Sequence, residues 1–296
     1  MNVLAVAVAL TLIARPDDGF AKKMLPILTR EAEAYSIVAE ADSKKPLELR
    51  KGQVYEWSNP TPKGDMHGAV YLWLRDGRPA VFGCIFSQPH DAPAGHQIVH
   101  EMHALDPDPL VVTRPPGSLN EWKPRAGLGR KAVPNAPAPA ATAAVRLVQM
   151  RRLAQEFAAH SVDRDNNRSE FRLLPTPLYR YPEAKAGVTD GGVFAFVDTS
   201  GTDPEVLLVI EARERDGKPT WEYACGRFSD RDLHARHKQT EVWSMVRGDT
   251  NTFNNDPQHL YSACAEKVVS LDGKLLARCK ATPQVPWGVV YPVTDK

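Results

Sequence analysis

The sequence has few cysteines, no long hydrophobic run and no excess of charge of either sign. Its four cysteines form no CxxC pair, so nothing indicates a zinc ribbon or a thioredoxin-like redox site. Lysine plus arginine number 37 and aspartate plus glutamate 36, which gives a net charge of +1. Because basic residues are not in excess, the net charge does not attract nucleic acid or acidic lipid, and we expect neither as a partner.

Several catalytic signatures are also missing. The chain contains no GxSxG, P-loop or GxGxxG motif, the patterns that position a nucleophile or cradle a phosphate group in large enzyme classes. The sequence therefore predicts no cofactor and assigns no catalytic residue. The missing motifs do not decide whether the protein has a catalytic triad, because the members of a triad need not be close in sequence.

The composition is that of a globular protein, with 296 residues, 43% hydrophobic and 25% charged. The length suggests about two domains.

The N-terminus carries an apolar segment. Residues 3–14 are apolar except for Thr11. This run is too short to cross a bilayer, which takes about 20 residues, but it fits the apolar region of a secretory signal peptide. We predict that residues 1–14 are a signal peptide and that the protein is exported, either periplasmic or extracellular; a buried N-terminal strand or helix is the alternative. No other segment approaches that length, so the mature chain is expected to have no integral membrane segment.

A weak internal repeat runs through the chain at a nearly constant offset. Residues 49–57 align with residues 173–181 at an offset of 124, which places Tyr55 on Tyr179. The same offset places Gly68 on Gly192. An ordered series of matches of this kind predicts the duplication of one structural unit.

The predicted elements follow the same order in each half: helix, strand, turn, strand. Apolar positions at helical spacing predict the helices, and β-branched and aromatic runs predict the strands. The helices are predicted at residues 21–41 and 144–160, the strands at residues 68–74, 80–86, 192–197 and 205–212, and the turns at Asp76-Gly77 and Ser200-Gly201.

We therefore predict an α+β protein made of two tandem duplicated units, each a helix packed on an antiparallel β-meander. The first unit covers residues 20–130, a Pro/Ala-rich linker covers residues 131–143, and the second unit covers residues 144–296. Cystatin-like and NTF2-like folds share this general plan. That likeness is an analogy of fold and carries no function.

The second half contains three characteristic stretches: LLPTPLYRY at residues 173–181, DGGVFAFV at residues 190–197 and GTDPEVLLVIEAR at residues 201–213. These stretches resemble a family of uncharacterised exported bacterial proteins. The resemblance is strongest from about residue 146 to residue 243. It implies export, but it brings no activity, cofactor or partner.

The densest group of candidate metal ligands is His96, His100 and His103 in the segment HQIVHEMH. On a helix these positions share one face and can bind a metal ion. On a strand, His96 and His100 lie about 13 Å apart and His103 points to the other face, too far for zinc–nitrogen bonds of about 2 Å. The repeat aligns this segment with strand-like residues, so we favour the strand and assign no metal site.

Ser229-Asp230-Arg231-Asp232 has the spacing of a capping box and predicts a short helix. His234, His237 and Glu241 would then lie on roughly one face of that helix. We interpret this face as an exposed polar surface.

The C-terminal segment contains a hairpin signal at Asp272-Gly273. Such a turn pairs residues whose numbers sum to 545, so Cys264 and Cys279 become diagonal neighbours on one face, about 7–8 Å apart. Disulfides prefer Cα separations of about 4.4–6.8 Å. We predict no obligatory disulfide, with Cys264–Cys279 the pair worth testing.

The functional expectation is an exported, non-catalytic binding or structural protein, because catalytic motifs and cofactor signatures are missing. The alternative is a metal-assisted hydrolase that uses His96, His100 and His103 with Glu101. An extended conformation of residues 96–103 would remove the main support for the hydrolase.

Overall fold

The computed structural model describes residues 18–125, 127–182, 187–199, 201–247, 256–282, 284–285 and 288–293. The predicted signal peptide at residues 1–14 and the predicted turn residue Ser200 lie outside the described residues. In the described part of the chain, no helix is long and apolar enough to cross a membrane.

The described residues form two helices and twenty strands. The helices are α1 (Asp18–Glu33) and α2 (Ala143–Gln155). The strands are β1 (Ser36–Ala39), β2 (Asp42–Pro46), β3 (Glu48–Leu49), β4 (Tyr55–Thr61), β5 (Gly64–Arg75), β6 (Arg78–Asp91), β7 (Ala94–Ala104), β8 (Leu110–Thr113), β9 (Lys131–Ala132), β10 (Phe157–Val162), β11 (Arg168–Leu173), β12 (Tyr179–Arg180), β13 (Val188–Asp198), β14 (Pro204–Arg215), β15 (Lys218–Arg227), β16 (Asp232–His237), β17 (Thr240–Met245), β18 (Tyr261–Val269), β19 (Leu275–Lys280) and β20 (Val289–Pro292).

The strands form two large antiparallel sheets and a small one. Sheet I has the order β20-β19-β18-β7-β6-β5-β3, and β4 also pairs with β5. Sheet II has the order β17-β16-β10-β11-β13-β14-β15-β9, and β12 also pairs with β13. Sheet III joins β2, β1 and β8.

The predicted fold, an α+β protein of two duplicated helix-on-meander units, is wrong. Strands make up 54% of the structure and helices 11%, in large antiparallel sheets with a half-barrel. The two large sheets also differ in strand order. Strand β18 pairs with β7, so β18 to β20, which belong to the predicted second unit, lie in sheet I. The analogy to cystatin-like and NTF2-like folds depended on this prediction and is therefore also wrong. A match at constant offset could not reveal this arrangement, because sheet membership depends on partners far away in sequence.

The individual strands predicted from composition are confirmed. The four predicted runs lie within β5, β6, β13 and β14. Asp76 and Gly77 form the turn between β5 and β6 with positive φ angles of 52° and 81°. Two consecutive positive φ values are what a tight type I′ hairpin turn requires.

The second helix is shorter than predicted. It ends at Gln155, because Phe157–Val162 form β10, which pairs with β11 and β16. Side chains along β10 alternate between buried and partly exposed, the two-residue period of a strand. Phe157, which falls within the predicted helix, is buried from a strand instead, and its ring packs on Tyr223 at a centroid distance of 5.0 Å.

Three hydrophobic layers hold the sheets and helices together. The layer between sheets I and II contains side chains of both, among them Leu72 and Phe82 of sheet I and Val193 and Leu207 of sheet II. Helix α1 packs on β5 and β6 at the outer face of sheet I, and α2 packs on β13 at the outer face of sheet II. Charged side chains are buried at the ends of the layer between the sheets, and these side chains form the candidate site.

The C-terminal hairpin has the predicted register but not the predicted faces. Lys267 pairs with Arg278, so the residue numbers sum to 545. A bulge in β18 reverses the alternation of its side chains. Cys279 therefore lies in the layer between the sheets, whereas Cys264 lies near Tyr35 on the helix side. No disulfide joins these two described residues.

Candidate functional site

The histidines of residues 96–103 are divided between the two faces of a strand. All three lie in β7, which confirms the extended conformation. His100 is fully buried on the α1 side, with Nδ1 2.8 Å from the Tyr35 hydroxyl, whereas His103 packs near Tyr261 in the layer between the sheets. Burial lowers the pKa of His103 to about 4 and that of His100 well below its usual value, so both rings are neutral. The metal-assisted hydrolase loses its main support.

The predicted helix after Ser229 is wrong. Asp232–His237 form β16, which pairs with β10 on one edge and β17 on the other. His234 and His237 point to opposite faces: His234 stacks on His160 at a centroid distance of 4.8 Å, and buried His237 is hydrogen-bonded to Glu156. Pairing on both edges overrides the local capping signal.

Two glutamates of β14 are buried. Glu211 lies on the inward face with Leu207 and Val209 of the core, because side chains of a strand alternate with a period of two. Glu205 stands at a bulge, where the β14 residue paired with β13 changes from Val206 to Pro204. Glu205 is 3% exposed and Glu211 is 0% exposed. A buried carboxylate is costly unless it is paired and hydrogen-bonded, and these two differ in the partners they have.

The buried negative charge of Glu211 is compensated by two arginines and a tyrosine hydroxyl. Arg78 of sheet I donates to both carboxylate oxygens, from Nε at 2.7 Å and from Nη2 at 2.8 Å. Arg130 donates to Oε2, and the Tyr181 hydroxyl donates to Oε1 at 2.8 Å. Burial alone would raise the pKa of Glu211, but the hydrogen bond from Arg78 and the charge of Arg130 hold it below its usual value. This ion pair joins the two sheets.

The carboxyl group of Glu205 has fewer and more distant hydrogen-bond and ion-pair partners than that of Glu211. Its Oε2 atom is buried without a hydrogen-bond partner, and Nη1 of Arg231 lies 3.6 Å from Oε1, beyond hydrogen-bonding range. The same Nη1 atom is 2.6 Å from Oδ2 of Asp198. Burial raises the pKa of Glu205 to about 8. The charge of Arg231 and a hydrogen bond with Ser229 oppose the shift, and the charge of Asp203 adds to it. The carboxyl group is therefore mostly protonated near neutral pH.

Glu101 and Asp203 extend this cluster toward solvent. Glu101 accepts a hydrogen bond of 2.8 Å from the Tyr261 hydroxyl, and desolvation together with the charges of Asp203 and Glu205 raises its pKa well above the usual range. Asp203 accepts a hydrogen bond of 2.7 Å from Nδ2 of Asn59. Glu101 and Asp203 are both partly exposed, in contrast to Glu205. We call Glu101, Asp203 and Glu205 the acidic end.

An aromatic ring and a thiol border the acidic end. Tyr55 donates a hydrogen bond of 2.9 Å to a backbone oxygen just before β14, and its pKa is raised by burial and by the charge of Asp203. Cys84 lies opposite Glu101 in the pairing of β6 with β7. Burial raises the pKa of the Cys84 thiol well above its usual value, so the sulfur stays protonated.

Sequence reasoning missed Glu205 and Asp203 as site residues, because their segment was interpreted only as a strand. One signal was available: two glutamates stand within an otherwise apolar run, and ionisable residues are rarely buried without a partner or a role. Which of the two is compensated could not be predicted, because Arg78 and Arg130 come from distant segments.

Comparison of the chain with protein-family models, with curated proteins and with solved structures found no match. The acidic end is therefore interpreted from its own geometry and charges.

Proposed function

We propose that this protein is a binding protein that holds a small organic cation at the acidic end. The observation that carries the proposal is the carboxyl group of Glu205, which is 3% exposed and has an oxygen atom without a hydrogen-bond partner. An uncompensated buried carboxyl group destabilises a folded protein, and it is expected where a bound ligand supplies the compensation. Glu211, on the same strand, receives its compensation from within the chain.

The charges around the site favour a cation over an anion. Asp203 raises the pKa values of both Glu101 and Glu205 by repulsion, with Arg231 as an opposing charge. An anion would add to this repulsion, whereas a cation would relieve it and favour the ionised carboxylates. The ring of Tyr55, partly exposed beside Asp203, can contact the organic part of the ligand.

The site supports binding rather than covalent catalysis. The nearby Cys84 is kept as a thiol by burial, and the thiolate is the nucleophilic form. Among the described residues, no group of three or more histidine, cysteine or acidic side chains is arranged to hold a metal ion. We therefore favour an organic cation with N–H donors that match the carboxylate acceptors. Export of the protein stays a prediction from residues 3–14.

Binding of a cation should release a proton. The pKa of Glu205 is about 8, so its carboxyl group is mostly protonated at neutral pH, and a bound cation favours the ionised form. The affinity should therefore rise with pH up to about 8 and level off above it. Glu101, whose pKa is also raised, acts in the same direction.

Isothermal titration calorimetry with 1,5-diaminopentane tests this proposal, with 1,5-pentanediol as the neutral probe of equal length. We expect the diamine to bind and the diol not to bind. The apparent enthalpy at neutral pH should differ between phosphate and HEPES buffers, because the released proton is taken up by the buffer.

Glu205→Gln should weaken diamine binding roughly tenfold or more, because a charge-assisted hydrogen bond contributes about 1.5–3 kcal/mol. The matched control is Glu214→Gln, an exposed glutamate on the same strand, which should bind like the wild type. Equal binding of diamine and diol, or full binding by Glu205→Gln, would overturn the proposal.

A further inference from the structure

We infer that the ligand of the acidic end presents a primary ammonium group, which takes the place now held by the guanidinium group of Arg231. This inference rests on the proposed function, and it adds the chemical class of the ligand and the side chain that competes with it. Arg231 lies in the turn between β15 and β16, next to Glu205 and Asp198.

A single nitrogen atom of Arg231 faces both carboxylates. Its Nη1 atom lies 2.6 Å from Oδ2 of Asp198 and 3.6 Å from Oε1 of Glu205. Arginine often binds one carboxylate through two parallel hydrogen bonds, as Arg78 does with Glu211. The position of Nη1 therefore suits a single cationic nitrogen with acceptors on several sides. It suits less well a planar guanidinium group that donates two parallel hydrogen bonds to one carboxylate.

The count of donors favours an ammonium group over a guanidinium nitrogen. One terminal guanidinium nitrogen carries two N–H groups, whereas an ammonium group carries three. The two carboxyl groups beside Nη1 offer Oδ2 of Asp198 and Oε1 of Glu205, and Oε2 of Glu205 has no hydrogen-bond partner. An ammonium group has one donor for each of these three oxygen atoms.

The side chain of Arg231 can leave without disturbing the turn that carries it. Its side chain is 42% exposed, although its partner Asp198 is only 11% exposed. The backbone is held separately: Nη2 of Arg227 donates to the Arg231 oxygen at 3.1 Å, and the Arg231 N–H donates to Oγ of Ser229 at 3.4 Å. The guanidinium group can therefore move into solvent while the turn keeps its place.

Arg231 thus acts as an internal competitor for the ligand. Each binding event must displace it, so the wild-type affinity is lower than the affinity of the vacated site. Ligands that lack N–H donors cannot satisfy the three acceptors, which makes the site selective for primary amines over quaternary ammonium compounds.

Titration calorimetry near pH 8 tests the inference with pentylamine, pentylguanidine and pentyltrimethylammonium, which share one alkyl chain. We expect the affinity to fall in that order. Arg231→Gln should raise the affinity for pentylamine at least about fivefold, the factor that corresponds to about 1 kcal/mol of competition from Arg231. The matched control is Arg236→Gln, a 37% exposed arginine of β16, which should bind like the wild type.

The outcomes separate this inference from the proposed function. If wild type binds 1,5-diaminopentane and Arg231→Gln binds pentylamine no more tightly, the role of Arg231 is refuted while cation binding stands. Equal affinity for pentylamine and pentyltrimethylammonium would refute the ammonium chemistry. Absence of binding in both proteins would refute both proposals, whereas binding to Arg231→Gln alone would support the competition. Thermal melts establish beforehand that both variants are folded.

Discussion

Replacing Glu205 with glutamine should stabilise the protein near pH 8 and leave its stability almost unchanged near pH 4. Glutamine has nearly the shape of a protonated glutamic acid, and burial holds the pKa of Glu205 at about 8 in the folded protein. Unfolding returns the carboxyl group to water, where its ordinary pKa is 4.5. Between these two pH values the folded protein keeps a proton that the unfolded chain has lost.

The sign of the effect follows from proton binding. The free energy of unfolding falls as the pH rises wherever the folded state binds more protons than the unfolded state. A pKa raised from 4.5 to about 8 corresponds to an upper limit of about 5 kcal/mol, at about 1.36 kcal/mol for each pH unit. We expect Glu205→Gln to gain a few kcal/mol near pH 8, within that limit.

Urea denaturation near pH 4, 6 and 8, in buffers without amines, measures this effect. Glu211→Gln is the matched comparison and has the opposite expectation. Its carboxylate, held below its usual pKa by Arg78 and Arg130, stabilises the fold above the unfolded pKa, and this contribution is lost as the pH falls through the folded pKa. Removing it should cost about 3–5 kcal/mol at neutral pH, because two buried guanidinium groups lose their partner.

The reasoning about Glu205 would be refuted if Glu205→Gln were less stable than the wild type near pH 8. It would also be refuted if the gain were the same near pH 4 and pH 8, because a buried neutral acid must produce a pH-dependent difference.

Three further predictions concern packing and the thiols. Gly68→Ala should cost about 1–3 kcal/mol in chemical denaturation, because its Cβ atom would lie 2.3 Å from the Trp57 ring, whereas Gly129→Ala, with no atom within 4 Å, should be nearly neutral. Phe157→Ala should lower stability by about 3–5 kcal/mol, and an unchanged thermal melt would contradict its burial. Alkylation of unfolded, unreduced protein should modify all four cysteines in a mass measurement; two modified thiols would reveal a disulfide.

The strands that were predicted correctly are those whose identity is decided locally. The runs at residues 68–74 and 192–197 are dense in β-branched and aromatic side chains, and the structure places them in β5 and β13. The Asp76-Gly77 turn was predictable for the same reason, since its two positive φ angles suit these two residues.

Two segments show where local patterns mislead. Residues 157–162 continue the apolar spacing of α2, and residues 229–232 have the spacing of a helix cap, yet both lead into strands of sheet II. Each of these strands is paired on both of its edges. The ladder hydrogen bonds come from distant parts of the chain, which a local window cannot see, and they outweigh a weak helical preference.

Strand β14 separates what the sequence by itself determined from what only the tertiary structure decided. The sequence determined that residues 205–212 form an apolar strand that carries Glu205 and Glu211, because the run is rich in β-branched and aliphatic side chains. Only the tertiary structure decided that Arg78 and Arg130 reach Glu211, while Glu205 faces Asp203 and keeps an unpartnered oxygen. The physical reason is that the charge state of a buried carboxyl group depends on the groups that surround it, and those groups are brought together by long-range strand pairing.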